Sequence, residues 1–80
     1  MMKVECKLFD IKELTEGQVS FIAEAYFSEA NEDFDGGYMH LSLVNYETAH
    51  ELFNMLGNNE WYQLRAKKCQ DRIVEIEETR

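Results

Sequence analysis

The chain has 80 residues, enough for one domain but not for two independent cores. Its content of 45% hydrophobic and 12% aromatic residues excludes a disordered chain, which couples low hydrophobicity to high net charge. Sixteen acids against eight Lys and Arg give −8, a balance that excludes nonspecific attachment to nucleic acid or to an anionic membrane.

Met1 to Lys7 alternates apolar and charged residues where a secretory signal needs an unbroken apolar stretch. No apolar run approaches the roughly 18 residues of a membrane span. A cytoplasmic location is therefore expected. In that setting Cys6 and Cys69, far apart and in apolar-facing positions, read as reduced and buried rather than as a disulfide.

From Lys3 the residues alternate, with Val4, Cys6 and Leu8 on one face and Lys3, Glu5 and Lys7 on the other. This period of two predicts a half-buried strand. Glu16-Gly17-Gln18 reads as a turn. Val19, Phe21, Ala23, Ala25 and Phe27 then alternate with Ser20, Ile22, Glu24, Tyr26 and Ser28, which predicts a second strand. A polar stretch ending in Gly36-Gly37 suits a hairpin connection, and Tyr38 to Val44 follows as a third strand with Met39, Leu41 and Leu43 on one side. Asn45 stands where a helix cap is wanted, and Glu47 falls in the first turn, favoured by the helix dipole. Ala49, Leu52, Phe53 and Leu56 recur at helical spacing, and Gly57 stops the helix.

Over the tail, Tyr62, Ala66, Cys69, Ile73 and Ile76 are spaced 4, 3, 4 and 3 and form one seam of a second helix. The rival is a β-hairpin, with strands 61–66 and 72–77, supported by the β-branched Ile73, Val74 and Ile76. The expected fold is thus α+β. It is a single domain with a three-stranded antiparallel meander (residues 3–9, 19–28 and 38–44), and helices 46–56 and 60–77 cover one sheet face.

Three features invite a chemical reading. Asn31, Asp33 and Asp35 followed by Gly36 match the opening of a calcium loop, but position twelve would be Ser42 instead of a bidentate glutamate. A solvated acidic loop is the preferred reading. Glu47-Thr48-Ala49-His50 is a Glu-x-x-His step, but di-metal bundles need two such steps plus two more glutamates. Cys69 is flanked by Lys67 and Lys68, yet shares its seam with Ile73, which argues for burial over an activated thiolate. With no phosphate loop, paired CxxC or serine elbow, neither enzyme activity nor a cofactor is expected.

The charge distribution is more telling. Between Glu13 and Leu64 there are ten acids and no Lys or Arg, whereas both ends carry a small excess of bases. Carboxylates gathered on one surface act as a nucleic-acid mimic and attract a basic groove. The expected function is an acidic inhibitor or adaptor that occupies a basic, nucleic-acid-binding site on a partner protein. In size and charge the chain is of the sort that phages and mobile elements encode to block host enzymes. The expected contacts are Glu29, Glu32, Asp33, Asp35, Glu47 and Glu51. The alternative is a self-associating subunit, a homodimer paired through the Tyr62–Ile76 seam, and a remote third reading is a metal-dependent enzyme.

Overall fold

Thr15 fixes the start of the first helix. Its Oγ1 accepts a hydrogen bond from the Gln18 backbone N–H at 3.1 Å, and Gln18 Oε1 accepts one from the Thr15 N–H at 2.9 Å. This reciprocal pair is a capping box, which satisfies two donors that a helix start leaves open. A computed structural model describes residues 14–57 and 59–78. Among them the chain forms three helices: α1 (Glu16–Asp35), α2 (Met39–Leu56) and α3 (Glu60–Glu78).

The α+β expectation is thereby corrected: no strand occurs among the described residues. The expected strand 19–28 is the middle of α1, and 38–44 is the start of α2. The expected strand 3–9 lies outside the described residues. The reason is a degenerate pattern. Val19 to Phe27 is apolar at every second residue, but Val19, Ala23, Phe27 and Ala30 also fall on one helical stripe, and these four are buried. Ala23, Ala25 and Ala30 favour the helix intrinsically. With Thr15 and Gln18 capping its end, the segment satisfies its own backbone groups and needs no partner strand. Glu16-Gly17-Gln18 is the first turn of α1, not a loop.

The α1–α2 connection is closed by Gly36 and Gly37. The Tyr38 N–H bonds to the Asp33 carbonyl at 2.8 Å and the Gly37 N–H to that of Phe34 at 3.2 Å, the two bonds of a Schellman turn. Gly37 has φ +87°, a left-handed conformation that only glycine adopts without strain. The chain reverses here into α2, which starts seven residues before the expected 46.

α2 is the middle helix, packed along both α1 and α3. It buries Ser42, Leu43, Tyr46, Ala49, Leu52 and Phe53, an arc wider than a two-helix contact needs. Three polar bonds set its register on α1. Ser42 Oγ donates to the Ala30 carbonyl at 2.9 Å, Asn45 Nδ2 donates to Asp33 Oδ2 at 2.9 Å, and the Tyr46 hydroxyl donates to Asn31 Oδ1. Asn45 is therefore an interhelical tie rather than a helix cap. In α3 the seam of Ala66, Cys69, Ile73 and Ile76 is buried, so the tail is helical and the hairpin is excluded.

Aromatic rings join the three helices. Phe27 of α1 meets Tyr46 and Phe53 of α2 edge to face, with ring centroids 6.1 and 6.2 Å apart. Phe53 in turn stacks on Tyr62 of α3 at 6.3 Å. Edge-on and offset contacts of this kind add about 0.5–1.5 kcal/mol each beyond area burial. Phe53→Ala should therefore cost about 3–5 kcal/mol, enough to unfold most of a domain this small. Urea denaturation followed by far-UV circular dichroism measures the loss, and a cost near zero would contradict the placement of Phe53.

Candidate functional site

The six expected contact residues lie on α1 and α2, and five of them are exposed. Glu29 and Glu32 are exposed on α1, and Asp35 is exposed at its last turn. Glu47 and Glu51 are exposed on α2, one turn apart. Asp33 is half-buried, accepting from Asn45, and acts as a tie between the helices.

The calcium-like loop is not a loop. Asn31, Asp33 and Asp35 are consecutive alternate residues of a helix, where each step of two turns the side chain through about 200°. Their oxygens diverge instead of converging on an ion. Asn31 accepts from Tyr46 and Asp33 from Asn45, so both have structural partners. Among the described residues no group of three or more His, Cys, Asp or Glu could hold a metal ion. His50 lies against Asn54, with Nε2 3.4 Å from Asn54 Nδ2, and Glu47 stands apart on the solvent side.

Sequence reasoning missed where the bases go. Every Lys and Arg of residues 14–78 lies on α3, and two arginines spaced seven apart fill the seam between α1 and α3. The Arg65 guanidinium stacks 4.7 Å from the Phe27 ring centroid and 4.5 Å from that of Trp61. Glu24 Oε2 lies 3.4 Å from Arg65 Nε and accepts from Trp61 Nε1 at 3.2 Å. The Arg65 contact is an ion pair set off the N–H axis, since this buried nitrogen makes no directed hydrogen bond among the described residues. One turn pair further along, the Arg72 guanidinium stacks 4.1 Å from the Phe34 ring centroid and reaches Glu75 at 3.3 Å. Lys67 pairs with Asp71 at 3.5 Å, also within α3. The spacing of Arg65 and Arg72 beside the apolar seam was the available signal, because long cationic stems commonly cover apolar surface.

The consequence is electrostatic. α1 and α2 have no Lys or Arg of their own. Of their acids only Glu24 reaches an arginine among the described residues. Glu16, Glu29, Glu32, Asp35, Glu47 and Glu51 are exposed and in no ion pair among those residues. The seam expected to pair two copies is occupied within the chain: Ala66, Cys69, Ile73 and Ile76 are buried, and Tyr62 is half-buried against Phe53.

Cys6 lies outside the described residues, and among those residues no nucleophile is poised. Cys69 is fully buried, and desolvation pushes its thiol from 9.0 up to about 12, with Arg65 opposing and Glu24 reinforcing the shift. An open hollow at the start of α1, lined by Leu14, Thr15, Gly17, Gln18, Phe21 and Ile22, contains no titratable group, and Thr15 and Gln18 are committed to the cap. No helix among the described residues is long and apolar enough to cross a membrane. Comparison with protein-family models, with curated proteins and with solved structures returned no match.

The raised Cys69 thiol makes stability pH-dependent in one direction. Below its ordinary 9.0 the thiol is neutral in both the folded and unfolded chain, and its stabilising contribution is complete. As pH rises towards about 12 the unfolded chain ionises first, and that contribution is lost. Tyr46, raised above 10.0 chiefly by desolvation, acts in the same sense. Denaturant titrations across this alkaline range should show falling stability in the native chain and a shallower fall in Cys69→Ala. Equal slopes would refute the assignment.

Proposed function

We propose that this chain is a non-enzymatic acidic protein-binding module, whose α1–α2 pair docks on a basic surface of a partner protein. The observation that carries the reading is the segregation of charge by helix. Glu29, Glu32, Asp35, Glu47 and Glu51 project from two helices with no base of their own, while two α3 arginines are turned inward against Phe27 and Phe34. Such a field steers a cationic groove towards the pair and raises its association rate. A groove of that sign commonly serves nucleic acid, so occupying it makes the module an inhibitor or an adaptor. Asp33, committed to Asn45, contributes charge but not a free contact.

The test is quantitative capture from the native host at low salt. Four exposed pairs at about 0.2–1 kcal/mol each imply that Glu29→Gln/Glu32→Gln/Glu47→Gln/Glu51→Gln weakens binding about fourfold or more. Raising salt should release the captured partner, because exposed charges are screened within about 8 Å at physiological ionic strength. The recovered partner should bind nucleic acid, and the native chain should block that binding. Equal affinity in the quadruple variant, or affinity indifferent to salt, would remove the proposal.

A further inference from the structure

α2 carries two apolar stripes, and only one of them meets the core. The second runs through Leu41, Val44, Thr48, Glu51 and Met55, at steps of three, four, three and four residues. On a helix this spacing lays the side chains along one line, the a/d seam that a second helix packs against. Leu41, Val44 and Met55 are 54%, 45% and 39% exposed. The Thr48 hydroxyl donates to the Val44 carbonyl of its own helix at 3.1 Å, so it requires no outside partner. Glu51 stands within the seam and Glu47 on its flank, at the position where coiled coils place the charges that choose a partner.

We infer that this outer face of α2 receives one amphipathic basic helix of another protein. The inference rests on the reading of the α1–α2 pair as a docking face for a basic partner, and it names what docks. The occupant's apolar residues cover Leu41, Val44 and Met55, and its Lys or Arg side chains meet Glu47 and Glu51. Charge decides between occupants. A second copy brings another α2 with acids and no Lys or Arg, setting like charges together. An anionic bilayer or a nucleic acid is repelled by the same carboxylates.

The probe is a three-heptad synthetic peptide with Leu at a and d and Lys at e and g, beside a shuffled peptide of the same composition. Titration of the full chain followed by amide chemical shifts should move α2 around Leu41, Val44, Thr48, Glu51 and Met55. The phased peptide should bind at least about tenfold more tightly than the shuffled one. Leu41→Gln/Val44→Gln/Met55→Gln should abolish that advantage while leaving the weaker, salt-sensitive attraction to both peptides. Because these side chains are exposed, the fold should survive, and Leu41→Ala/Met55→Ala repeats the test with a milder change. Equal affinity for the two peptides overturns the inference and leaves the acidic reading standing. Shifts centred on α3 or on the start of α1 overturn it as well. Failure of both peptides to bind at low salt counts against the seam and the acidic reading together. Concentration-dependent dimerisation through α2 without peptide replaces the proposed occupant with a second copy.

Discussion

Everything in this fold depends on burying the middle helix from two sides. α2 presents Tyr46 and Phe53 to α1 through Phe27, and Phe53 to α3 through Tyr62. Both are fully or almost fully buried. Neither outer helix alone covers this arc. A chain of 80 residues has little apolar surface to spare, so a continuous aromatic contact through three helices is an economical core. Small residues complete it: Ala23, Ala30 and Ala49 are fully buried, and Ser42 returns its hydroxyl to an α1 carbonyl. That last bond is what makes a serine tolerable there, because an unpaired buried hydroxyl is costly.

The same packing determines the electrostatics. Between α1 and α3 the gap is filled by the stems and guanidinium planes of Arg65 and Arg72, laid on Phe27, Trp61 and Phe34. Arginine suits this position because its weakly hydrated, planar head stacks on aromatic faces. Two cations are thus turned towards the α1–α3 seam, and a third, Lys67, is occupied by Asp71 of its own helix. Among the described residues, Glu24 alone of the α1 and α2 acids is answered by a cation. The negative field follows from how the third side of the bundle is closed, as well as from composition.

This arrangement also separates structural from available polar groups. Asn31, Asp33 and Asn45 are polar residues in an acidic stretch, yet they hold α1 and α2 in register. Glu29, Glu32, Glu47 and Glu51 make no tie between helices among the described residues and remain at the surface. Two sets of residues that look alike along the chain have different work, divided by which side of a helix each occupies.

The sequence by itself determined the charge segregation, the apolar seam of α3 and the helical character of the second half of α2. Each is a one-dimensional pattern: a run of residues without bases, or apolar positions at three- and four-residue steps, which in α3 outweigh the β-branched Ile73, Val74 and Ile76 that support a hairpin. It did not determine α1 or the start of α2 by apolar periodicity. Val19 to Phe27 is apolar at nearly every position, so periods of two and of 3.6 fit it equally well. The Thr15–Gln18 capping box was present as a signal for the helix, but Gly17 between them gave the segment the look of a turn. Only the tertiary structure decided the matter, because the narrow stripe of Val19, Ala23, Phe27 and Ala30 is buried against a partner helix that no local pattern names. It decided the fate of Arg65 and Arg72 for the same reason: whether a long cationic side chain faces water or lies along an aromatic ring depends on which ring the fold brings beside it.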